Sequence, residues 1–430
     1  MGLTTRLRAI VALAAVLALA GCSLDLAHLR GSADAGVLDA GDAASLVDAD
    51  LDADVDAGDL GPDDARAPDA GPRDDAGPCN AGCMPSLAFA PAYFRTLGFV
   101  PVALDTGDVN GDGAPDVVIV GPGTFQVFTL DAPDVCRLRT LTASASFTMP
   151  FSASTLEVAD LEMDGRDDIA LLAISGELSL YRATGTGGFD ASDPAMFDSP
   201  SFGVVASGSP PRLVVTAGSG ATGSIGTFDL VWPNLNMGSP PVPPIAALGR
   251  AVSVRRSSTE NLVAAASSSD AHVYLFRVDG STPTIEGMVS TPGTALRLVA
   301  ADLDLDGIDE VVTNVIGQRK MYVLSNPGSG WTALPVNLDE FVDALASGNL
   351  GADGRPDIVA LRGSTVRVYP VRDLSESGGP FDSPVSLALP GLGIDVAVAD
   401  LDGDALPDVL TIGADGAGGY ELRIFPGRCL

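Results

Sequence analysis

Short apolar runs with period-two alternation recur along the second part of the chain. They are Phe125-Gln-Val127-Phe128, Leu178-Ser-Leu180-Tyr181, Thr227-Phe228-Asp229-Leu230, Val273-Tyr-Leu275-Phe276, Met321-Tyr-Val323-Leu324, Val366-Arg-Val368-Tyr369 and Leu422-Arg-Ile424-Phe425. Such alternation sets one side of an extended segment against a core, so each run predicts a β-strand. The seven runs lie 45 to 56 residues apart, and no strong helical period intervenes. A fixed period of this size marks a repeat architecture. Seven β units of about four strands each predict an all-β, seven-bladed β-propeller over residues 84–430, in which radial packing protects most strand edges. A two-sheet sandwich or a β-helix has no reason to repeat seven times. The stretch Ser86–Ala90 is expected to supply the outer strand that closes the last blade.

A polar pattern is interleaved with the apolar one. Five motifs space their first and last acid or amide eight positions apart. The first carries Asp108, Asn110, Asp112, Gly113 and Asp116, and the second Asp160, Glu162, Asp164, Gly165 and Asp168. The third carries Asp302, Asp304, Asp306, Gly307 and Glu310. The fourth has Asn349, Gly351, Asp353, Gly354 and Asp357, and the fifth Asp400, Asp402, Asp404, Ala405 and Asp408. The 142 residues between positions 160 and 302 hold two further units. Their turns, Ser207–Arg212 and Arg255–Asn261, are shorter and lack the Asp series.

Calcium takes six to eight oxygen ligands, and known loops present them at alternate positions with glycine at the sharp turn. Here positions one, three and five are expected to converge on one ion, and the final acid to close the loop from the next strand. The backbone carbonyls of Ala114, Arg166, Ile308 and Leu406 are candidates for a further oxygen. Clustered carboxylates without a cation repel one another. Glu162 is longer than the usual Asp and shifts its ion or binds through water. Gly351 removes a ligand, so the Asn349 loop is expected to bind weakly or not at all. Ala405 replaces glycine, so its turn is expected to be strained or differently shaped. The alternative is a metal-free Asx-turn hairpin.

These motifs resemble the FG-GAP/VCBS repeat family, which includes the propeller of integrin α-subunits. The resemblance covers most of residues 84–430. It is strong at the first, second, third and fifth acidic loops, weaker at Asn349, and absent from the turns of blades three and four. It implies Ca²⁺ in the turn between two strands, at matching positions only.

Charge sharpens this picture. The chain has 430 residues, a net charge of −32 and a single lysine, Lys320. A phosphate-tracking nucleic-acid binder needs Lys and Arg, so that class is disfavoured. Fourteen Asp and two Arg between Gly31 and Pro78 place −12 in a segment of Ala, Gly and Pro. That composition cannot bury enough apolar surface to offset chain ordering, so residues 22–83 read as a disordered tether. The propeller region holds most of the remaining acids.

The first 21 residues read as a signal peptide. Arg6 and Arg8 precede an apolar run from Ala9 to Ala20, too short to span a bilayer. Leu19-Ala20-Gly21-Cys22 resembles the lipobox of bacterial lipoproteins, which implies acylation at Cys22 and cleavage before it. Ser23 follows, which in that family leans towards the outer membrane. Lipid is then the expected membrane attachment. Cys79, Cys83, Cys136 and Cys429 remain, and an exported chain favours disulfides, with three possible connectivities. A bridge between Cys429 and the Cys79/Cys83 pair fits the two ends of the propeller region.

Catalytic signals are poor. His28 lies in the tether and His272 begins a strand. Asp373-Leu-Ser375-Glu-Ser377 matches a metal-adhesion pattern outside its usual strand-to-helix setting. Arg255-Arg256 and Arg319-Lys320 are candidates for contact with an acidic glycan. The sequence therefore predicts a calcium-stabilised, lipid-anchored surface propeller that binds a protein or glycan partner. A polysaccharide lyase or hydrolase and an envelope-assembly scaffold are the alternatives.

Overall fold

The computed structural model describes residues 87–428, apart from 91, 131–140, 145, 186–187, 199, 209, 220–221, 238–246, 258–259, 279–281, 327–329, 339, 352 and 373–378. The chain divides into two units, Met1–Arg73 and Asp74–Leu430, and every described residue belongs to the second. The signal peptide, Cys22, the tether up to residue 83, Cys79, Cys83, Cys136, Cys429 and the Asp373–Ser377 pattern lie outside the described residues. Among those described there is no helix, and so none long and apolar enough to cross a membrane.

Seven antiparallel sheets follow one another, as the repeat predicts. Blade one has inner strand Ala103–Gly107, then Asp116–Gly121, Thr124–Leu130 and Leu141–Ala143. Blades two to six repeat the order from inner strands Ala153–Ala159, Ser201–Ser207, Leu248–Arg255, Ala295–Ala301 and Ala344–Gly348. Each alternating run found in the sequence is the third strand of its blade, where one side packs against the neighbouring sheet. The second strands read as continuous apolar runs, for example Val117-Val118-Ile119-Val120, because both faces are covered. Seven buried clusters result, one at each seam. At the seam of blades one and two, Phe125 stacks on Phe147 at 4.8 Å and meets the edge of Tyr181 at 4.8 Å.

Blade seven joins the two ends of the described chain. Its strands Gly393–Ala399, Asp408–Ala414 and Tyr420–Phe425 are completed by Tyr93–Leu97, with Tyr93 opposite Ile424 and Leu97 opposite Tyr420. This corrects the expectation for Ser86–Ala90. Within that stretch Ala88–Phe89 pairs instead with Gly427–Arg428 in a separate ribbon. The open edge of Tyr420–Phe425 is taken by Tyr93–Leu97, which leaves the earlier run to pair elsewhere.

The strand order sorts the connections onto two faces. Turns from first to second strands open on one face, which carries all five acidic motifs. Second-to-third hairpins and blade-to-blade crossings open on the other.

Candidate cation loops

The acidic turns share one local network. The first acid accepts the backbone N–H five positions on: Gly113 to Asp108 at 2.7 Å, Gly165 to Asp160 at 2.9 Å, Gly307 to Asp302 at 2.9 Å and Ala405 to Asp400 at 2.9 Å. The third acid accepts the N–H two positions on: Ala114 to Asp112, Arg166 to Asp164, Ile308 to Asp306, Arg355 to Asp353 and Leu406 to Asp404, all within 3.0 Å. Asx turns thus shape the loops before any ion is considered. Asn110 accepts from the Asp112 N–H at 2.8 Å, and Asp304 accepts from Asp306 at 3.2 Å.

Backbone conformation follows the same register. Gly113, Gly165, Gly307 and Gly354 all have φ between 83° and 89°. Ala405 keeps the same left-handed shape at φ 68°, so that loop is strained and not reshaped. Three positions after the first acid, Gly111 and Gly403 are matched by Met163 at φ 57° and Leu305 at φ 66°.

The last acid of each motif is buried. Asp168 accepts from Leu161 and Ala183, Asp357 from Leu350, Gly351 and Val371, and Asp408 from Leu401 and Gly427. Each therefore pins its turn to the end of the third strand, a role the spacing alone did not reveal. Burial, then the neighbouring loop acids, pushes Glu310 up to about 7, and Asp408, with two N–H bonds opposing, up to about 8. Burial likewise raises Asp168 to about 7 and Asp357 to about 6, against the hydrogen bonds they accept. Asp116 is buried in the same position.

Among the described residues, two loops bring their carboxylate oxygens together. Carboxylate oxygens of Asp302, Asp304 and Glu310 lie within 4.8 Å of one another, as do those of Asp400, Asp402 and Asp404. Burial and the adjacent Asp404 push Asp402 above the usual carboxylate range. The Oδ1 atom of Asp302 is buried with no hydrogen-bond partner. An all-carboxylate donor set with an orphaned buried oxygen fits a hard cation.

The other loops differ. In the second, Glu162 sits 3.6 Å from Arg182 Nη1, and Asp164 is paired with Arg166. Its length thus draws Glu162 towards an arginine. In the fourth, Asn349 Oδ1 is buried without a hydrogen-bond partner, and a Cβ on Gly351 would lie 3.6 Å from Asp357 and 3.8 Å from Asp353. Polar atoms therefore surround the missing side chain. Of the arginine pairs, Arg256 is held by Glu260 and Glu286, and Arg319 lies over the Phe341 ring at 5.4 Å. His272 Nδ1 lies 3.4 Å from Asp270 Oδ1 at its strand's start.

The FG-GAP-like repeat family matches residues 108–171 and 350–411, which are two blocks of these loops with their flanking strands. The chain folds as a seven-bladed propeller that carries FG-GAP-like repeats. No curated protein matches the sequence. Among solved structures, a chain from the crystal structure of BBS1N in complex with ARL6DN has a TM-score of 0.56 at 12% identity, covering 79% of this chain and 97% of that one. Sqt1 of Saccharomyces cerevisiae has a TM-score of 0.53 at 10% identity, covering 80% of this chain and 100% of its own. At these identities the likeness is one of fold. The FG-GAP matches omit blades three to five, including the Asp302 loop that forms one of the two tight clusters.

Proposed function

We propose that this FG-GAP propeller is an exported, lipid-anchored binding module whose acidic loops hold structural Ca²⁺ and whose opposite face docks a protein partner. The observation that carries the cation reading is the buried, unpartnered Asp302 Oδ1 beside Asp304 and Glu310. Ca²⁺ there would neutralise mutually repelling carboxylates and fix the turn to its blade. The Asp400–Asp402–Asp404 loop offers a second site of the same chemistry.

The docking reading rests on the two-faced topology. Val100, Leu296, Ile316 and Leu392 are exposed apolar residues, all placed by the strand order on the face away from the acidic loops. Leu392 is 64% exposed and directly precedes an inner strand. Apolar side chains on the blade-crossing face suit a protein surface better than a glycan. The lipobox at Cys22 and the acidic tether supply attachment and reach.

The test is crosslinked capture from envelope extract by the full chain, with Leu392→Asp and Met163→Asp as variants on opposite faces. Loss of the crosslinked partner with Leu392→Asp alone supports docking on the crossing face. Equal capture by both variants removes that assignment. Fatty-acid labelling abolished by Cys22→Ala supports the anchor, and unchanged labelling removes it.

A further inference from the structure

Blade four has no acidic motif, yet its turn meets the next blade as blade one's does. At the seam of blades one and two, Asp108 N–H donates to Asp167 Oδ2 at 2.7 Å, and Asp167 N–H donates to Asp108 O at 2.8 Å. At the seam of blades four and five, Arg255 N–H donates to Asp309 Oδ2 at 2.7 Å, and Asp309 N–H donates to Arg255 O at 2.8 Å. The reciprocal pair makes Arg255 the counterpart of Asp108. Blade four therefore has a guanidinium where blade one has the first acid of its loop.

That guanidinium reaches across the seam. Arg255 Nη2 lies 3.2 Å from Asp302 Oδ2 and 3.2 Å from Asp309 Oδ1. Asp302 Oδ2 also accepts the Gly307 N–H at 2.9 Å, while Oδ1 of the same carboxylate has no partner. One carboxylate thus shows one oxygen to a fixed positive charge and the other to the cluster with Asp304 and Glu310. No ion pair to Asp400 or Asp402 occurs among the described residues of the blade-seven loop.

We propose that Arg255 is a resident counter-cation of the blade-five loop, bracing the seam of blades four and five and holding down the loop's affinity for divalent cations. This rests on the cation reading of the Asp302 loop. A fixed positive charge a few ångströms from a bound dication repels it, and it partly satisfies Asp302 beforehand. The loop then needs its ion less, and binds it less tightly, than the same carboxylates would alone.

The test is calorimetric titration of the full chain with CaCl₂, alongside thermal melting without added metal. Asp302→Asn identifies the class of sites that belongs to blade five by removing it. Arg255→Ala and Arg255→Gln are expected to tighten that class roughly tenfold and to lower the metal-free melting temperature. Arg255→Lys, which keeps the charge, is expected to stay near the wild-type affinity. Gln keeps a hydrogen-bonding side chain and serves where Ala does not fold. Unchanged or weaker binding in folded Ala and Gln variants overturns the role of Arg255 and leaves the cation reading standing. Absence of any class sensitive to Asp302→Asn overturns both.

Discussion

Glu157, on the inner strand of blade two, accepts the backbone N–H of Ala206 on the inner strand of blade three at 3.0 Å. One blade earlier Asp105 accepts from Val158 at 2.9 Å, and Asp395 of blade seven accepts from Leu104 at 3.4 Å. Three carboxylates thus link the inner strands of four successive blades. Burial pushes Asp105 up to about 7, with Asp395 and Asp167 adding repulsion. Burial, then repulsion from Asp105, pushes Glu157 up to about 8. The folded state therefore binds these protons more tightly than the unfolded chain does. Their contribution is full below the ordinary carboxylate range and is lost as pH rises through the raised values. Glu157→Gln keeps the acceptor and removes the titration. Its melting temperature should gain at least about 2 °C on wild type at pH 8 relative to pH 5. A pH-independent difference would refute the assignment.

Calcium should raise the melting temperature, and excess EDTA should reverse the gain. At a hundred times Kd, each site adds about 2.7 kcal/mol. Asp402→Asn should remove part of the gain and Asp402→Asn with Asp302→Asn most of it. A melting temperature indifferent to both calcium and EDTA would count against structural cations.

Ala405 holds a left-handed φ of 68° where four sister loops use glycine. Releasing that strain outweighs the extra freedom glycine gives the unfolded chain. Ala405→Gly should therefore stabilise the protein by about 0.5–1 kcal/mol, read by denaturant unfolding. A loss of stability would show that the strain is not where the dihedral places it.

Removing Tyr93–Leu97 should leave Tyr420–Phe425 as a raw edge and Leu97 missing from the cluster at the seam of blades seven and one. The melting temperature should fall and concentration-dependent association should appear in sedimentation. Removing residues 23–78 should change neither.

The repeat was readable because third strands and acidic turns recur with fixed local spacing. The outer strand of blade seven was not, since its partner lies more than 300 residues away and both nearby apolar runs look alike in sequence. Arg255 was also hidden. Beside Arg256 it reads as half of a basic pair for an acidic glycan, and only the reciprocal bonds to Asp309 show which loop position it fills. Asp105, Glu157 and Asp395 stand as single acids in strands, a pattern that normally means a wet face. The desolvation of Asp105 and Glu157 follows from ring closure, which no local window contains. The final acids of the motifs were legible as loop residues, but the bonds of Asp168, Asp357 and Asp408 to the far end of the third strand were not.

The strand that seals blade seven is made before any blade, and its partner is made after nearly all of them. During synthesis Tyr93–Leu97 must wait, unpaired, until Tyr420–Phe425 has followed it out. The ring therefore inspects its own completeness. A product broken off before Tyr420–Phe425 lacks the partner of Tyr93–Leu97 and leaves that strand's edge open.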